Sequence, residues 1–190
     1  MKFSKITAAL VAALTLGAIG TASAQSVNGG TITFTGSVAD VTCTVQGGAG
    51  TNGGSGNFTV SLNQAQPSDL PSAGATFGQQ AFDLIIGGPN QTSCQDGSVA
   101  SVQFIPSSPQ VDAATGALRN ALSGQATNVE IQVLDSNNAP INLAAGNLYA
   151  SPAIANNTAT MQFGAQYLAV GGGATPGLVS TEVLYGVTYN

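Results

Sequence analysis

The residues best equipped for chemistry in this chain are Cys43, Cys94 and eight acids: Asp40, Asp69, Asp83, Asp96, Asp112, Glu130, Asp135 and Glu182. Paired carboxylates could cleave glycosides. Here only Glu130 and Asp135 lie within ten residues of each other, and on a strand an odd separation turns them to opposite faces. A serine nucleophile needs a base, and the chain has no histidine. "DSNNAPIN" (135–142) has the oxygen ligands of a calcium loop without its glycine and terminal glutamate, and reads as a hairpin turn. Two cysteines without histidine make a poor zinc site. In an exported chain, an even pair predicts one disulfide, Cys43 to Cys94. The sequence therefore argues against a hydrolase and predicts no cofactor, no metal and no enzymatic activity.

Export is predicted by the opening, "MKFSKITAALVAALTLGAIGTASAQS". Lys2 and Lys5 precede an apolar run of about 14 residues, too short for the roughly 20 that span a bilayer. Ala22-Ser23-Ala24 supplies small residues for cleavage before Gln25, so residues 1–24 read as a signal peptide. No later stretch is long and apolar enough to span a membrane. Cleavage leaves Arg119 as the lone cation against all eight acids. Such a surface cannot neutralise phosphates, which excludes nucleic acid as a partner, and anionic membranes would repel it. Only 6% of residues are charged, yet 43% are hydrophobic. Disordered chains show the opposite balance, so this one folds.

The elements that must position these residues read as strands. "QSVNGGTITFTG" (25–36) alternates Gly30, Ile32 and Phe34 with Thr31, Thr33 and Thr35, the pattern of a strand that buries one face. Further strands are predicted at 38–45, 58–64, 81–88, 98–106, 128–135, 158–170 and 178–190. Residues 46–57 hold six glycines and read as a flexible loop. Residues 67–79 read as a Pro/Gly/Ser connection, and 107–127 as a weakly structured link with at most a short helical turn. With no long amphipathic helix and no repeat, the pattern is that of a β-sandwich of about one domain. On pattern alone, the first strand could pair with the last inside that domain.

Three stretches together resemble the pilins, the fimbrial subunits of the chaperone–usher pathway, and among them the type 1 fimbrial major subunits. These are "VNGGTITFTGSVADVTCTV" (27–45), "VEIQVLD" (129–135) and "FGAQYLAVGGGATPGLVSTEVLYGVTYN" (163–190), the last with a penultimate tyrosine, Tyr189. The resemblance implies an all-β fold: an incomplete immunoglobulin-like β-sandwich lacking one strand (37–190), with an N-terminal donor-strand extension (25–36). It implies that Ile32 and Phe34 enter the groove of a neighbouring subunit, with Gly30 where no side chain fits, and that Val183, Tyr185, Val187 and Tyr189 line the groove's wall. The implied partners are neighbouring subunits in a head-to-tail homopolymer, a periplasmic chaperone and an outer-membrane usher. The implied destination is a fimbria on the cell surface, with a part in cell adhesion. The glycine-rich insert 46–57 is longer than the family's usual spacing after the first cysteine, and could be a plain surface loop or carry binding specificity. A rival reading is a monomeric secreted or periplasmic immunoglobulin-like binding module that closes its own sandwich.

Overall fold

The computed structural model describes residues 43–189. The signal peptide 1–24, the extension 25–36 with Gly30, Ile32 and Phe34, and the opening of the sandwich domain at 37–42 lie outside the described residues.

Among the described residues, eight strands form two sheets. A five-stranded sheet runs β1 (Val45–Gly47), β2 (Thr76–Gly87), β7 (Thr158–Ala169), β5 (Val129–Leu134), β4 (Leu118–Arg119). A three-stranded sheet runs β6 (Leu148–Ala150), β3 (Ala100–Phe104), β8 (Tyr185–Tyr189). All the pairings are antiparallel.

The centre is β7, whose twelve residues pair with β2 on one side and β5 on the other. Its alternate residues Ala159, Met161, Phe163 and Ala165 are all buried. The register sets Ile86, Leu84 and Phe82 of β2 opposite Ala159, Met161 and Phe163, so one face of the sheet is continuously apolar. From the other sheet, Ala100, Val102 and Phe104 of β3 point into the same core. Phe163 is its hub, with ring centroids 5.8 Å from Phe82, 5.5 Å from Phe104 and 6.1 Å from Tyr149. Each fully buried Leu or Ile here contributes about 1.5–3 kcal/mol.

Several elements depart from the sequence reading. β2 begins at Thr76, inside the stretch read as a connection. It does so through a register shift between Phe77 and Gln80, where Gly78 takes φ +72°. A residue without Cβ makes that irregularity cheap. The glycine-rich stretch is an ordered hairpin laid along β2. Gly48 N donates to Asp83 O and Asp83 N to Ala49 O, both at 2.8 Å. Gly50, at φ +78°, comes so close to β2 that a Cβ would meet Ala81 O at 2.1 Å. Glycine here is a requirement of close approach, and the expectation of a flexible loop is corrected. The link 107–127 contains the two-residue strand β4 in place of a helical turn, and two short 3-10 helices (Pro67–Asp69 and Leu143–Ala145) are the helical elements among the described residues.

The cysteines are joined, with Cα atoms 4.7 Å apart across 51 residues of sequence. Closing a loop of that length stabilises the fold by roughly 4 kcal/mol in the chain-entropy model. Cys43→Ser/Cys94→Ser should lower the unfolding free energy, read from urea titration, by a few kcal/mol. Glu130 is the one buried acid among the described residues, 4% exposed. It accepts from Thr115 Oγ1 at 2.6 Å and pairs across the ladder with Arg119, whose guanidinium bonds Asp112 at 3.4 Å. Burial pushes the Glu130 carboxyl above its ordinary value, and the Thr115 bond only partly opposes this. The folded state therefore binds this proton more tightly than the unfolded state, and ionisation costs stability as pH rises past the unfolded value through the folded one. Glu130→Gln keeps the Thr115 bond and should stabilise the subunit at pH 7. The gain should vanish towards pH 4 in urea titrations run across that range.

Candidate functional site

β8 has one neighbour. It pairs with β3 and ends its sheet, so its other edge carries unpaired main-chain groups among the described residues. The register sets Tyr185, Val187 and Tyr189 opposite Phe104, Val102 and Ala100, so these three face the core. Yet all three remain half-buried, as do Val179 and Val183 in the extended lead-in, where residues 180, 182 and 184 are exposed. The inward side chains are incompletely buried, and among the described residues no strand pairs with the free edge beside them.

A second segment shows the same signature. Residues 58–64, read as a strand, are extended but make only an isolated bridge, Val60 to Thr51. Phe58, Val60 and Leu62 are half-buried against the core, while Thr59, Ser61 and Asn63 are exposed. The sequence does alternate as a strand should; among the described residues no strand lies beside it at the ladder spacing of about 4.8 Å.

These two segments are the walls of a groove floored by the core. Tyr185 Oη donates to Gly56 O at 2.5 Å, and Tyr189 Oη to Cys43 O at 3.1 Å, both across it. The Phe58 and Tyr185 rings meet with centroids 6.0 Å apart. At the end away from the tyrosines lies a cleft of about 570 Å³ lined by Leu62, Ala65, Leu70, Val129, Tyr167 and Val179. The walls carry one charged residue, Glu182, and its side chain is on the exposed alternation. Thr181 Oγ1 is buried without a hydrogen-bond partner among the described residues. Burial pushes the Tyr185 and Tyr189 phenols up, so both are neutral donors at physiological pH.

Of the residues expected at the site, Val183, Tyr185, Val187 and Tyr189 lie together in the last segment, packed half-buried against the core, and the Cys43–Cys94 bond ties the chain just before β1 to the loop after β2. The opposite wall, Phe58, Val60 and Leu62, was legible as a strand but not as a groove wall. Alternation reports which side chains point inward, not whether the main chain beside them is paired. No helix among the described residues is long and apolar enough to cross a membrane, and those residues contain no group of three or more His, Cys, Asp or Glu placed to hold a metal ion.

The geometry is thus a two-sheet sandwich whose last strand is paired on one edge among the described residues, with half-buried apolar side chains beside the other edge. Residues 32–190 match the model of the family described as fimbrial protein. The type-1 fimbrial protein A chain of Escherichia coli K12 is 32% identical over the whole of both chains. The major fimbrial subunit SMF-1 of Stenotrophomonas maltophilia K279a is 38% identical over 85% of this chain and 92% of that one. Among solved structures, a chaperone–usher pilus subunit from a study of rod uncoiling superposes with TM-score 0.54, at 19% identity, over 85% of this chain and 96% of that one. The Burkholderia pseudomallei type I fimbria protein BPSL1626 gives TM-score 0.51 at 23% identity, over 68% and 81%. The chain belongs to the fimbrial protein family, as an immunoglobulin-like sandwich one strand short and a structural subunit of cell-surface fimbriae.

Because Phe58 is half-buried and Phe163 fully so, truncating them should cost unequally. In urea titrations of the free subunit, Phe163→Ala should lose about 3–5 kcal/mol and Phe58→Ala about half of that.

Proposed function

We propose that this subunit polymerises by donor-strand exchange, residues 25–36 of one copy filling the groove of the next. One observation carries the reading: two facing segments bury alternate apolar side chains by half and share no main-chain pairing among the described residues. The occupant follows from chemistry. Residues 25–36 contain no charged side chain and alternate Ile32 and Phe34 with threonines, which suits a groove whose apolar walls would make a buried charge expensive. Twelve extended residues reach roughly 40 Å, the breadth of a domain. Main-chain bonds to the free edge of β8 supply pairing. Ile32 and Phe34 in the groove contribute about 2–3 kcal/mol each, and Gly30, without a Cβ, suits a close passage of the donor over the core. Val183, Tyr185, Val187 and Tyr189 form the receiving wall.

A donor at one end of the chain and an acceptor elsewhere make a heterologous contact that does not close, so the product is a filament. Until it is filled, the groove exposes apolar surface and an unpaired edge, an aggregation hazard. A periplasmic chaperone that lends a strand, and an outer-membrane usher that exchanges it, would answer that hazard. In this reading the subunit has no enzymatic activity, and it serves adhesion as the material of the fibre. The signal peptide 1–24 directs export and leaves Gln25 at the front of the donor.

Deleting residues 25–34 with the signal kept should abolish fibres seen by electron microscopy while leaving exported, disulfide-bonded subunit in the periplasm. Phe34→Asp should do the same. Normal fibres from either variant would overturn the reading. So would a purified wild-type protein that runs as a monomer in mild detergent, which is the behaviour of a self-closed module.

A further inference from the structure

The two tyrosines on β8 do more than present apolar rings. Their phenols make the only hydrogen bonds among the described residues that join β8 to the stretch 43–64, which carries the opposite wall at its end. The acceptor at Cys43 is informative. Thr44 O takes Gly87 N at 2.7 Å and so points towards β2, while Val45 O takes Gly56 N at 2.8 Å. Successive carbonyls of an extended chain point to opposite sides, so Cys43 O, like Val45 O, faces away from β2. That is where Tyr189 meets it. Four residues along β8, about 13 Å away, Tyr185 meets Gly56 O just before the Phe58 wall. Both side chains lie on the core side of β8, opposite Phe104 and Ala100, and therefore in the floor of the groove.

A phenol reaches farther than one inter-strand spacing of about 4.8 Å. Walls joined through such a side chain are held too far apart to pair with each other. Without that spacing, two rows of half-buried apolar residues would gain by closing on one another. Resting on the donor-strand reading above, we infer that Tyr185 and Tyr189 are positioning residues that brace the empty groove at the width of the missing strand. The donor then lies over them without first parting the walls, a preorganisation that speeds its entry.

The test uses the full mature chain, residues 25–190, held dilute, and a fluorescein-labelled peptide of residues 25–36 in excess, followed by anisotropy. Tyr185→Phe and Tyr189→Phe keep the rings and remove the bridging hydroxyls. Each should slow peptide association several-fold, and the double variant roughly ten-fold, as ordinary net hydrogen-bond strengths allow. The melting temperature of the free subunit should change little, because the closed groove buries apolar surface in compensation. Tyr149→Phe, at the far edge of the same sheet, should associate like wild type. Unchanged association in the double variant, or faster association, would overturn the brace alone. A lowered melting temperature with faster dissociation and unchanged association would also overturn it, in favour of a plain structural role. If wild type fails to bind the peptide at all, the donor-strand reading falls and the brace falls with it.

Discussion

Main-chain hydrogen bonding is the constraint on which the rest of this molecule depends. A β-strand in a sandwich has two edges to satisfy, and β8 satisfies one of them, against β3. A few residues of unpaired backbone at a sheet edge are tolerable when solvent reaches them. They become costly when the side chains beside them are apolar and have nothing to cover them. Here both conditions meet, at β8 and at the extended segment facing it. Among the described residues that edge stays open, and the fimbrial family to which the chain belongs includes subunits of chaperone–usher pili.

The remainder of the sandwich supports that edge. β7, buried on its inward face and paired on both sides, fixes the position of Phe163, and Phe163 ties the rings of both sheets together. The disulfide ties the start of the described chain to the loop after β2, and so fixes the carbonyl that receives Tyr189. A rigid core of this kind allows an open groove beside it to keep its shape. The charge distribution follows the same logic. Charged side chains are few, the groove walls carry almost none, and the one buried carboxyl among the described residues, Glu130, sits on a different sheet from β8 and accepts from Thr115.

Some of this was legible in the residues. Alternation located 58–64, β5, β7 and the closing strand, because a one-sided burial leaves a period of two in the sequence. The start of β2 was hidden because Gly78 and the register shift at Phe77 break that period locally. The glycine-rich hairpin was misread because glycine has two uses: freedom to move and permission to pack closely. At Gly50 it is the second, which depends on the backbone of β2 some thirty residues later in the chain. β4 and β6 are two and three residues long, too short for any periodic signal.

What the sequence by itself determined is the all-β class, the disulfide partners and the inward faces of the strands, since each follows from local pattern, from count or from the compartment implied by the signal. Only the tertiary structure decided that Phe58 meets Tyr185, and that the phenols of Tyr185 and Tyr189 reach the carbonyls of Gly56 and Cys43. Pairing is a relation between distant segments. A strand's own residues encode which way its side chains point, but not which neighbour, if any, its main chain will find.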